Sequence, residues 1–165
     1  MADEVSRLIA LLSEKEGALQ ELLGLLEEER SCLVQMDMEK LQSQTEKLQA
    51  LYDRLAGSSR LCRQLIDQLA AQLGVAGAHN LSPLLPGVPQ PQRETLQGLQ
   101  ARLLDLGRGL EKLSAANGQL LQNALSTVNR SLEFFGRMFN RSTTYGGAGR
   151  MVSGSSGPKL LRREA

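Results

Sequence analysis

Residues 96–120 read LQGLQARLLDLGRGLEKLSAANGQL, and their spacing decides the fold. Leu96, Leu99, Leu103, Leu106, Leu110, Leu113, Asn117 and Leu120 alternate steps of three and four. This is the roughly 3.5-residue repeat of helices packed along a shared seam. Asn117 takes an a-type position. A buried Asn there costs stability but selects one register, so Asn117 is the expected register-specifying residue. Gly107, Gly109 and Gly118 each weaken an isolated helix by up to ~1 kcal/mol relative to Ala. The helix is therefore expected to depend on packing.

The same pattern recurs upstream. Val5, Leu8, Leu12, Leu19, Leu22, Leu26, Leu33 and Met36 form a seam that Lys15 and Glu29 interrupt. Ile9, Leu11, Leu23 and Leu25 broaden it, which suits a helix with two neighbours. After Met36 the phase slips to Leu41, Leu48, Leu51 and Leu55. Asp37 sits at the slip, where its side chain can accept from the first free N–H groups of a new helix, and Glu39 follows in that turn. The reading places a tight turn at Val34–Asp37; one continuous helix with a stutter is the alternative. The second helix runs on through Leu61, Leu65, Leu69 and Leu73, with a bend expected at Gly57-Ser58-Ser59 and an end at Gly74.

Four of the five prolines fall in residues 74–92. Proline removes a donor and clashes with the preceding helical turn, so this stretch is a loop. Its Leu81, Leu84, Leu85 and Val88 are expected to pack over the end of the bundle. His79 lies in it as well, with no ligating or catalytic partner nearby in sequence. The prediction is all-α: an antiparallel bundle of three long, coiled-coil-like helices at about 3–34, 37–73 and 93–140, with a disordered Gly/Ser/Arg tail at 141–165.

Composition agrees. Leu fills 33 of 165 positions and aromatics only 3%, which fits a bundle seam better than an α/β interior. The net charge is +1, so no global field draws the chain to nucleic acid or membrane. Residues 1–36 carry −5, residues 37–91 carry 0, residues 92–140 carry +2 and residues 141–165 carry +4. An acidic start and a basic end suit antiparallel packing; two solvated surfaces are the plain alternative.

The usual constellations of catalysis fail in turn. Gly146-Gly147-Ala148-Gly149 lacks the Lys-Ser/Thr and strand–helix setting of a phosphate cradle. One His with Cys32 and Cys62 far apart cannot build a zinc site. No Ser–His–acid set has support, and no paired Glu-x-x-His motif marks a di-iron bundle. A basic helix face with stacking aromatics is missing too. The expectation is no enzyme, no cofactor and no nucleic acid. No apolar run approaches the roughly 18 residues of a membrane span, and no basic leader precedes the first helix, so a cytoplasmic protein without stable membrane insertion is predicted.

Beyond Leu121 the seam shifts to Leu125, Val128, Leu132, Phe135 and Phe139, with Phe134 and Met138 alongside. All three phenylalanines fall within six residues. One reading is a hydrophobic plug closing the bundle; the other is a groove for an amphipathic partner segment, to which clustered Phe and Met are suited. Further on, Tyr145 is the one aromatic in a glycine-rich segment, a pattern that can anchor a transient contact.

These residues resemble a known family, the FlgN-type flagellar export chaperones. The likeness rests on the leading Leu/Glu-rich helix followed by Met36-Asp37-Met38-Glu39-Lys40-Leu41, on Asn117-Gly118-Gln119-Leu120-Leu121, and on Thr144-Tyr145-Gly146-Gly147-Ala148-Gly149, a Tyr-Gly-x-x-Gly pattern. It spans roughly residues 1–150. The resemblance implies a cytoplasmic chaperone of flagellar type III export that binds C-terminal segments of the hook-associated proteins FlgK and FlgL. By that analogy Leu125, Val128, Leu132, Phe135, Met138 and Phe139 hold the client. Tyr145, Gly146 and Gly149 then contact the export-gate component FlhA. The extension after Gly149 is not part of the pattern. A coiled-coil adaptor that oligomerises through its seams is the alternative reading, so self-association stays open.

Overall fold

The computed structural model describes residues 1–142 other than 76 and 79, with side chains through residue 139. It holds three α-helices, α1 Ala2–Gln35, α2 Met38–Leu73 and α3 Gln90–Ser142, and a short 3-10 helix at Ser82–Gly87. The chain divides into two units, Met1–Leu121 and Gln122–Ala165. The first is the helical bundle. Tyr145, Gly146, Gly149 and His79 lie outside the described residues.

The phase slip after Met36 is a true break. Met36 sits in the left-handed region at φ 57°, and its N–H bonds back to the carbonyl of Cys32. Asp37 then caps α2, its carboxylate accepting the Lys40 N–H at 3.1 Å. At the far end Gly74, at φ 68°, closes α2. The N–H of Val75 reaches Ala70 O at 3.0 Å and that of Gly74 reaches Ala71 O at 3.4 Å. Those two bonds are the Schellman pattern that glycine favours after a helix. α3 begins three residues earlier than Arg93, because Pro91 fits a first helical turn, where its missing N–H has no intrahelical partner to lose.

Cross-helix bonds set the directions. Glu4–Gln72 at 3.2 Å, Lys15–Ser59 at 3.0 Å and Glu21–Arg54 at 2.8 Å make α2 antiparallel to α1. Ser6–Gln92 at 3.3 Å, Glu16–Arg102 at 2.6 Å and Asn117–Leu26 at 2.8 Å make α3 parallel to α1. Consecutive helices are thus antiparallel, and the Pro-rich segment carries the chain around the end of α2.

That segment is part of the interior. Leu81, Leu84, Leu85 and Val88 are buried with Val5, Leu8, Leu69, Leu96 and Leu99 in one core cluster. Arg93 fastens it: its guanidinium donates to the carbonyl of Val88 at 2.9 Å and to that of Pro86 at 2.9 Å. Gly87 passes so close to α2 that a Cβ there would meet Leu73 Cδ2 at 2.8 Å. A second cluster joins Ala18, Leu22 and Leu26 of α1 to Leu48, Leu51 and Leu55 of α2 and Leu110 of α3.

The seams differ from expectation by single steps. Ala18 and Cys32 are buried where Leu19 and Leu33 were expected, and Met36 is 56% exposed. In α2 the buried residue is Cys62, seven after Leu55 and seven before Leu69, whereas Leu61 is 53% exposed. Gly57-Ser58-Ser59 lie inside unbroken helix. The small residues there receive the Lys15 side chain, whose ammonium donates to Ser59 Oγ. Burial pushes the nearby Cys62 thiol up from its ordinary value. Both cysteines are free.

Candidate partner-binding surfaces

Two surfaces stand out, one in each unit. In the second, the α3 residues Leu125, Val128, Leu132, Phe134, Phe135, Met138 and Phe139 are exposed by 46–72%. That exposure suits the groove reading. Leu125, Val128, Leu132, Phe135 and Phe139 keep strict steps of three and four, which places them along one face of the helix. Met138 flanks that face. The rings of Phe134 and Phe135 meet edge-on, with centroids 5.8 Å apart at 69°.

Thr127 and Ser131 share a shallow surface depression with Phe134 and Phe135. Thr127 donates its hydroxyl to Asn123 O at 3.0 Å, and Ser131 donates to Thr127 O at 3.0 Å. Both hydroxyls therefore turn back along the helix backbone. Arg137 pairs with Glu133 at 3.6 Å, one turn earlier, in full solvent. A weak surface pair of this kind contributes little to stability. What remains is an apolar face that can take an amphipathic segment.

The first unit carries the other surface, a groove of about 500 Å³ near the turn between α1 and α2. Leu26, Leu33, Leu41 and Leu48 form its walls, with Tyr52 and Leu121 at its rim. Asn117 lies within it, only 4% exposed. Its Nδ2 donates to the carbonyl of Leu26 at 2.8 Å and to Glu29 Oε2 at 2.8 Å. Because both partners are acceptors, the amide orientation is fixed. Its Oδ1 receives no hydrogen bond from the described residues.

Sequence reading singled out Asn117 but not its partner, nor the groove. A signal existed: Lys15 and Glu29 were the two interruptions of the α1 seam. Each makes a hydrogen bond to another helix, Lys15 to Ser59 and Glu29 to Asn117. Between them, Glu16 accepts from Arg102 at 2.6 Å and 3.2 Å, and that guanidinium holds the carboxyl below its ordinary value.

Among the described residues, no group of three His, Cys, Asp or Glu side chains is placed to hold a metal ion. Nor is any described helix long and apolar enough to cross a membrane. In comparisons with known proteins, a family model described as FlgN protein matches residues 1–153. No curated protein and no solved structure matches. The matched span takes in all three helices, the Asp37 turn and the Asn117 segment, and the chain belongs to the FlgN family.

Proposed function

We propose that this chain is a cytoplasmic chaperone that holds the C-terminal segment of a hook-associated protein, FlgK-like or FlgL-like, and hands it to an FlhA-like export-gate component. Membership of the FlgN family carries the coarse part of this reading, a flagellar export chaperone. The observation behind the finer part is the exposed, heptad-spaced face from Leu125 to Phe139. Export clients must stay unassembled until they leave the cell, and an amphipathic terminus is the part that assembles. A helix face with Leu, Phe and Met every three to four residues can cover such a terminus helix-in-groove. Release must follow, and coupled folding of a disordered segment gives moderate affinity for that purpose. Holding of this kind needs no nucleotide and no bond chemistry. Tyr145, Gly146 and Gly149 are the proposed gate contact.

Co-expression with the C-terminal segment of a hook-associated protein tests the reading. A soluble 1:1 complex is expected. If no complex forms and the chain elutes as a stable homo-oligomer, the adaptor reading takes its place. Tyr145→Ala should weaken binding to the gate component and spare the client; loss of both would end the proposed division of labour.

A further inference from the structure

The groove around Asn117 has a chemistry that the α3 face lacks. Leucines and the polar side chains of Thr45, Gln49 and Ser114 line it together with Asn117, whose buried amide oxygen no described residue donates to. Burying an acceptor without a donor is costly, which is why such groups in native interiors are nearly always paired. The carboxylate of Glu29 lies beside it, joined to the same amide. Glu29 is also the one ionisable group at ordinary pH among the residues that line the groove. The site thus offers two adjoining acceptors with a negative charge, flanked by the leucines. Its volume of about 500 Å³ lies within the ~300–1,000 Å³ typical of ligand clefts.

We propose that this groove is a second peptide-binding site, taking a partner segment in which an arginine stands between leucine-class side chains. The guanidinium donates to Asn117 Oδ1 and to the Glu29 carboxylate. The flanking apolar side chains lie on Leu33, Leu41 and Leu48. Arginine suits the site because its planar fork presents several donors at once and can serve two acceptors. A hard metal ion does not suit it, since such a cation favours several carboxylates and Glu29 is the one carboxylate among the lining residues. A two-fold contact between copies is also disfavoured, because it would bring one Glu29 toward the other. The proposal is independent of the α3 face: either surface can fail alone.

The test uses the full chain, labelled with nitrogen-15. The probe is a blocked, alanine-rich helical peptide with one arginine flanked a helical turn away on each side by leucine. Its twin carries methionine in place of arginine. The arginine peptide should shift the amide signals of Leu33, Leu41 and Tyr52 and the side-chain amide of Asn117. It should bind about tenfold more tightly than the twin, the worth of one charge-assisted hydrogen bond. Glu29→Gln should remove most of that preference. Thr45→Trp, which fills the groove from an exposed position on α2, should block both peptides and leave the unfolding midpoint unchanged. Equal affinity for the two peptides would overturn the proposal. So would shifts confined to residues 125–139, or shifts of the groove signals that depend on protein concentration without peptide.

Discussion

The double substitution Leu132→Asp with Phe135→Asp separates scaffold from binding face. Leu132 is 64% exposed and Phe135 52% exposed. Fully burying a Leu or Phe side chain contributes about 1.5–3 kcal/mol. Covering the exposed fraction of each with a client is therefore worth roughly 1–2 kcal/mol per residue. Losing both costs about 2–3 kcal/mol, and the desolvation of two new carboxylates adds to it. At about 1.4 kcal/mol per tenfold, client affinity should fall at least about 100-fold. Folding should hardly notice, because exposed substitutions usually stay within about 0.5 kcal/mol each. Calorimetric titration with a hook-associated C-terminal segment measures the first quantity. Urea unfolding followed by circular dichroism measures the second. If stability drops by more than about 2 kcal/mol, the two residues are core in solution and the argument fails. Unchanged affinity in a folded variant would refute it from the other side.

Leu84→Ala should destabilise the bundle by about 2–5 kcal/mol in urea unfolding, because this residue of the 3-10 helix is 0% exposed; a cost under about 1 kcal/mol would mean the Pro-rich segment is not core. Met36→Gly should stabilise the bundle by roughly 0.5–1 kcal/mol, since Met36 holds a positive φ that glycine adopts freely and its side chain packs on little; a loss of stability would show that the side chain matters more than the backbone. The Glu16–Arg102 pair should make stability depend on pH. Its carboxyl lies below the ordinary 4.5 when folded, so the contribution is present above 4.5 and is lost as pH falls toward the folded value. The stability gap between the parent and Glu16→Gln should therefore narrow on acidification through that window; a gap that stays constant would rule the pair out as its source.

Much of this fold was legible because heptads state which residues face a neighbour. The misplacements, Leu19 for Ala18 and Leu61 for Cys62, come from following leucine where a smaller side chain takes the buried position; Cys62 keeps the seven-residue step from Leu55 to Leu69 that Leu61 breaks. Ala18 and Cys62 are buried, whereas Leu19 beside the first is only partly buried and Leu61 beside the second is exposed. The burial of the Pro-rich segment was legible for another reason: leucines in a stretch that proline bars from α-helix still have to leave water.

The face from Leu125 to Phe139 is different in kind. Its periodicity says that something covers it, but periodicity carries no information about what. Plug and groove are two readings of the same residues. The groove at Asn117 was hidden because its parts come from three helices, Glu29 and Asn117 standing 88 residues apart. Yet its trace lay in the seam. A polar residue at a seam position forfeits burial energy, and a bundle tolerates that where the group gains a specific bond. Lys15 gains Ser59, and Glu29 and Asn117 gain each other. Of these groups only Asn117 keeps a buried acceptor unused. Interruptions that complete their hydrogen bonds within the chain fix register; one left with an open acceptor beside a cleft points outward, to a partner that brings the donor.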